Sequence, residues 1–503
     1  MRTLPPISTH QHLAGKRASK ALPHSAYYRR MLHSSFRSTF ITLFVILLTN
    51  CSFRPEPPAK LPSIYKEAAQ RKDIERNAVI VIPGILGSRL VNDPTQQVVW
   101  GAFTREAAKP SKPASARLIA LPMQQGVGLK TLRDTVRSDG ALEKLEVDLF
   151  SYFKVQPKAY VQILTTLGAA GFRDETLAKS DFGIDYGKDH YNCFQFDYDW
   201  RRSNAENAIL LGEFIRQKKA YIEGKNQEIH GRKGNVKFNI VAHSMGGLLA
   251  RYYLRYGEQG MPASGKPNLN WAGAKDVNKV IMVGTPNSGS LYSLDQLVHG
   301  TGFGPFTFTY PAQILGTMPS IYELLPRARH RVLKDTMQDI DLDPLDPEVW
   351  FERGWGLANT GKDSLHEVLL PEISSPVERE QIAKDHLVKC LTNARHFQNA
   401  LDTPSTPPAH LKYILFAGNS IDTAVQAEAW PGRIKFVDFS SGDETVARYS
   451  ALGDERFANR TSQKKFTSPV PWSHVTFLFE SHVGITQSRT FADNVLFELL
   501  ENN

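Results

Sequence analysis

Phe238-Asn239-Ile240-Val241-Ala242-His243-Ser244-Met245-Gly246-Gly247 decides how this chain is read. A short, partly β-branched apolar run leads into a serine flanked by small residues, and a helix-like segment over 248–256 follows at once. That order predicts a strand, a sharp turn and a helix, with Ser244 on the turn. Small neighbours are required because the turn packs closely against its surroundings, and the helix N-terminus brings backbone N–H groups to the hydroxyl. The pattern is that of a nucleophile elbow, G-x-S-x-G, with Ala242 at the first glycine. Taken alone, the pentapeptide also fits a serine capping a buried helix.

Outward from the elbow, strand and helix patterns alternate. Residues 77–82 read as a buried strand ended by Pro83-Gly84, and residues 193–196 as a second, short one. Ser203-Asn204-Ala205-Glu206 has capping-box spacing, and Ala208, Leu211, Ile215 and Ile222 behind it share one helical face. Residues 277–283, 411–416 and 434–439 are further strand candidates. Thr490 and Asp493 suit the cap of a last helix whose stripe is Ala492, Val495, Leu496, Leu499 and Leu500. Alternation of this kind means βαβ units and a mostly parallel sheet, an α/β class. The stretches 95–190 and 287–405 break it and are read as cap or lid insertions. The second carries Phe303, Phe306, Phe308, Tyr310 and Ile314, which suit a hydrophobic lid or ordinary packing under a cap.

A serine hydroxyl needs a base to take its proton, and the base needs a carboxylate to orient it. In the α/β-hydrolase fold the chain order is Ser, Asp/Glu, His, so the acid follows Ser244 and the histidine follows the acid. Asp443, in the small-residue loop Ser440-Ser441-Gly442-Asp443-Glu444, is the expected acid, with Asp422 as runner-up. His482, after the last apolar run and before the last helix, is the expected base; His474, at the start of that run, is the alternative. His243 is read as supporting the site. The oxyanion calls for two backbone donors: Met245 N–H, directly after the nucleophile, and Ile85 N–H in Pro83-Gly84-Ile85-Leu86-Gly87-Ser88.

The net charge of +9 is misleading as a sign of an acidic partner, because seven Lys/Arg and no Asp or Glu fall in residues 1–50, leaving only +2 for residues 51–503. No nucleic-acid partner is expected. The basic leader ends in the apolar run 40–48, too short for a comfortable membrane span, and reads as a secretory signal. Leu48-Thr49-Asn50-Cys51 resembles a lipoprotein box, with Cys51 as the lipidated residue and Pro55, Pro57, Pro58 and Pro62 in a tether over 51–76. Export is expected, as a membrane-anchored lipoprotein on a periplasmic or outer-membrane face, or as a secreted or uncleaved form. Met31 opens a more typical signal of its own. The folded domain is then 77–503. Cys193 and Cys390 are read as two buried thiols, and with no CxxC or Cys/His ligand spacing neither metal nor cofactor is expected.

With these loops placed, the chain resembles the lecithin:cholesterol acyltransferase family, which includes lysosomal phospholipase A2 and related bacterial and plant enzymes. The matching segments are residues 81–88, Tyr198-Asp199-Trp200-Arg201, the elbow at 242–247, Gly284-Thr285-Pro286, Met318-Pro319-Ser320 with Leu324-Leu325-Pro326, and Gly442-Asp443 with Thr445-Val446. Glu444 stands where that family commonly has glycine. The resemblance covers about 77–500 and points to a bacterial member. It implies acyl transfer from a lipid ester to an alcohol or water through an acyl-enzyme on Ser244, at a membrane or lipoprotein surface. Trp200 and Arg201 either shape the substrate site or are structural, Arg201 through a paired carboxylate. A neutral-lipid esterase and a silent lipid-binding lipoprotein of the same fold are the alternative functions.

Overall fold

The computed structural model describes residues 61–70, 74, 76–104, 106–141, 146–149, 153–155, 160–177, 190–302, 308–335, 337–457 and 465–501. The leader, Cys51, the first part of the tether, Phe303 and Phe306 lie outside the described residues. Eight strands matter for the site: β1 Ala78–Ile82, β2 Cys193–Gln195, β3 Phe238–His243, β4 Val277–Val283, β5 Lys412–Gly418, β6 Ile421–Trp430, β7 Arg433–Gly442 and β8 Trp472–Leu478. Six of them form one sheet in the order β8-β5-β4-β3-β1-β2, and every pairing is parallel. β1 and β3 are buried along their whole length. The unbroken apolar run of β1 follows from being covered on both faces.

The helices that matter are α1 Asn204–His230, α2 Met245–Tyr256, α3 Pro376–Asp402 and α4 Arg489–Leu500. Ser203 caps α1 by accepting the Ala205 N–H. Glu206 does not complete the expected box, because it pairs with Arg202 and Arg133. Glu323, from far along the chain, takes its place, accepting from Ser203 Oγ at 2.6 Å and from Asn204 N at 2.8 Å. Helix α4 starts after Ser488 rather than at Thr490, and Asp493 accepts the Tyr65 hydroxyl at 2.9 Å instead of capping. The end of the expected tether is therefore not free chain: Leu61–Ile64 and Lys66–Gln70 are short helices, docked on α4 through Tyr65.

The strand expected over 434–439 does not join the parallel sheet. It is β7, paired antiparallel with β6 across the two-residue turn Pro431-Gly432. A turn that short, with Gly432 at φ 68°, favours a local hairpin over a crossover. The first long insertion adds strands 98–100 and 136–141 to 88–92, making a three-stranded antiparallel sheet. The second contributes α3, which packs beside α2. The Tyr252 and Phe397 rings are 5.5 Å apart, and the Tyr256 hydroxyl donates to the Ala400 carbonyl at 2.8 Å. Cys193 and Cys390 are free and buried. No helix among the described residues is long and apolar enough to cross a membrane.

Candidate active site

The elbow is built where β3 turns into α2. Ser244 has φ 52° and ψ −125°, a conformation costly for a side-chain-bearing residue, and it is held there by its N–H to the Val283 carbonyl at 2.8 Å. A Cβ on Gly246 would stand 2.5 Å from the Pro83 carbonyl oxygen, and one on Gly247 would stand 2.0 Å from Thr285 Oγ1. These are the contacts that demand small residues. Ala242 replaces the first glycine at no strain, since it lies inside β3 and is not among the positive-φ residues.

The structure brings Ser244, His482 and Asp443 together. Ser244 Oγ is 2.9 Å from His482 Nε2, and His482 Nδ1 is 2.8 Å from Asp443 Oδ2. Asp443 is buried; its other oxygen accepts the Thr445 and Val446 N–H groups at 3.1 and 2.6 Å, so both carboxylate oxygens are engaged. A further bond from His482 N to the Asp443 carbonyl at 2.9 Å ties the two loops at the main chain. Gly284, with φ 58°, makes room: a Cβ there would stand 3.1 Å from the imidazole and 3.3 Å from Asp443 Oδ2. The alternatives lie elsewhere. His474 sits near the start of β8 and bonds Glu498, while β8 ends at Leu478, on the side from which the His482 loop departs. Asp422 faces Ser441 across the β6–β7 hairpin.

Three carbonyls of the loop 83–88 are held by side chains. Tyr198 Oη donates to the Pro83 carbonyl at 2.9 Å, Trp100 Nε1 to Leu86 at 2.7 Å and Trp200 Nε1 to Ser88 at 3.2 Å. Gly84 passes so near the elbow that an added Cβ would be 2.7 Å from Ser244 Cβ. Ile85 follows it directly, and Met245 heads α2, where the first N–H groups have no partner within the helix. Of the two roles open to Trp200 and Arg201, the geometry is that of the structural one. Arg201 is fully buried; its Nη2 lies 2.7 Å from both Asp199 and Asp134, and Nη1 donates to the Leu118 and Ile119 carbonyls. Burial opposes its charge, but Asp199 and Asp134 outweigh burial and hold the guanidinium above its ordinary pKa. No donor is left for a ligand.

Sequence reasoning missed Tyr160. Its hydroxyl is 3.0 Å from Gly84 N and 3.0 Å from His243 Nδ1. It stands in the first insertion, far from any motif, so no local pattern marks it. A cavity of about 830 Å³ lies between residues 121–133 and α3, and none of Ser244, Asp443 or His482 lines it. Among the described residues there is no cluster of three His, Cys, Asp or Glu suited to a metal ion.

Phospholipase A(1) LCAT3 of Arabidopsis thaliana is 29% identical over 140 residues, which are 26% of this chain and 27% of that protein. The match thus spans about a quarter of the relative's length. One chain of the Tle4–Tli4 complex is 15% identical with a TM-score of 0.51, covering 85% of this chain and 98% of its own, a likeness of fold. The fold is that of the α/β-hydrolases, a parallel sheet carrying an elbow at the end of β3. The family model for lecithin:cholesterol acyltransferase matches residues 135–389, about half of the chain. The chain is therefore a member of the lecithin:cholesterol acyltransferase family.

Proposed function

We propose that the protein is a serine enzyme that moves the acyl group of a lipid ester to an alcohol or to water. The observation that carries this is the continuous hydrogen-bonded series from Ser244 Oγ through His482 to Asp443. Ser244 Oγ attacks the ester carbonyl as its proton passes to His482 Nε2, and Asp443 holds the Nδ1–H and stabilises the imidazolium. The Ile85 and Met245 N–H groups receive the oxyanion. Collapse expels the alcohol, which takes the proton from His482 and leaves an acyl-enzyme. A second alcohol, or water, gives its proton to His482 and attacks, and the acyl group leaves Ser244 with the proton returned. Support for a lipid substrate comes from the family and from Phe479 and Val483, which are 83% and 50% exposed on either side of His482. The same reading extends to the leader: export and lipidation at Cys51 would hold the enzyme at a lipid surface.

A fluorophosphonate probe tests the mechanism. Wild type is expected to be labelled at Ser244, and Ser244→Ala not at all; His482→Ala and Asp443→Asn are expected to fold and to turn over an ester on the order of 10³- to 10⁴-fold more slowly. Labelling that persists in Ser244→Ala sinks the assignment. Product analysis on mixed lipid vesicles, reading acylated alcohol against free acid, then separates transfer from hydrolysis.

A further inference from the structure

His243 sits next to the nucleophile, yet its side chain takes no part in the series described above. Its Nε2 is 3.1 Å from the carbonyl oxygen of His482. A carbonyl only accepts, so Nε2 carries the proton and Nδ1 of the neutral ring is an acceptor. Tyr160 lies 3.0 Å from that nitrogen, so its O–H donates there, and its oxygen is left to accept the Gly84 N–H at 3.0 Å. The directions close without a donor to spare: Gly84 N–H to Tyr160, Tyr160 O–H to His243 Nδ1, His243 Nε2–H to the His482 carbonyl. His243 is buried and its pKa is pushed down to about 3, by desolvation first and then by the neighbouring His482. Its ring centroid is 4.9 Å from that of His482. A proton on His243 would oppose the charge that His482 takes up in turnover, so the neutral, singly oriented ring is the form that suits the reaction.

We propose that Tyr160 and His243 are positioning residues, one hydrogen-bonded chain that sets the loop bearing the Ile85 N–H against the main chain of the base. The proposal rests on the serine mechanism above. It gives the first insertion a task at the centre of the site, since Tyr160 belongs to that insertion while Gly84, His243 and His482 follow β1, end β3 and follow β8.

Tyr160→Phe deletes one oxygen atom. Turnover of p-nitrophenyl butyrate is measured per Ser244 titrated by fluorophosphonate, so unfolded protein drops out of the rate. The expected result is a kcat about 10- to 100-fold lower with KM within about twofold of wild type. His243→Ala is expected to lose a similar amount, and the double variant no more than the slower single one, because a chain broken at one link is broken at both. A kcat within about twofold of wild type, a loss carried by KM, or a double variant whose loss is the product of the singles overturns the proposal. Where His243→Ala does not fold, Tyr160→Phe decides alone. Wild type left unlabelled at Ser244 defeats the underlying mechanism, whereas a labelled wild type with an unaffected Tyr160→Phe defeats only the positioning chain.

Discussion

Three residues of the site hold a strained backbone. Leu86, Ser244 and Glu444 all have positive φ, at 65°, 52° and 80°. Each belongs to a different loop: the one after β1, the elbow, and the one carrying Asp443. For Ser244 the strain presents the hydroxyl to His482, and glycine cannot replace it. For Glu444 the side chain is exposed and only the backbone is used, its N–H donating to Thr423 Oγ1 at 2.8 Å. A left-handed residue with a Cβ costs about 1–2 kcal/mol, part of which is offset by the lower unfolded-state entropy of a non-glycine. Glu444→Gly is therefore expected to stabilise the protein by about 1 kcal/mol, read as a higher urea midpoint, with turnover retained. A lower midpoint would mean that the Glu444 side chain stabilises more than the backbone strain costs. The resemblance marks Glu444 as a departure from the family's glycine; the angle that explains the glycine, φ 80°, comes only from the structure.

The elbow is the element most legible beforehand, because strand, turn and helix follow from adjacent residues. Its two glycines look alike in sequence and differ in the structure. Gly246 faces backbone, the Pro83 and Ile82 carbonyl oxygens at 2.5 and 2.9 Å from an added Cβ. Gly247 faces one side chain, Thr285, whose Oγ1 and Cγ2 would be 2.0 and 2.8 Å away. Overpacking of this kind costs about 1–3 kcal/mol where something can move and more where nothing can. Gly246→Ala and Gly247→Ala are both expected to lose activity and thermal stability. Adding Thr285→Ala is expected to recover part of the loss in Gly247→Ala and none in Gly246→Ala, measured by melting temperature and by ester turnover. Equal recovery in both would show that the carbonyls of the 82–83 segment yield. Elsewhere the elements were less readable. Strand β7 has the composition of a sheet strand, and only its short turn to β6 separates a hairpin from a crossover.

For the whole molecule, the question is how the insertions are held to the sheet. Arg201 is one fastening: it joins Asp199, after β2, to Asp134 and to the carbonyls of 118–119 in the first insertion. Removing one member of a buried ion pair leaves a charge without a partner and costs about 3–5 kcal/mol, at the lower end here because Asp134 is partly exposed. Arg201→Ala is expected to lower the unfolding free energy by about 3 kcal/mol at constant denaturant slope. A loss under about 1 kcal/mol would remove Arg201 from the structural framework. Helix α3 is the second fastening: it packs on α2 although the sequence around it reads only as part of a long interruption.

The sequence by itself determined the buried strands β1 and β3 and the elbow that follows β3, since each depends on neighbouring residues whose spacing encodes their geometry. Tertiary structure alone decided that Glu323 and not Glu206 completes the cap of α1, that His474 is turned to Glu498, and that Tyr160 reaches His243. Those partners lie 24 to 120 residues apart, and a hydrogen bond between them leaves no periodicity; it exists only once the sheet has fixed where each loop emerges.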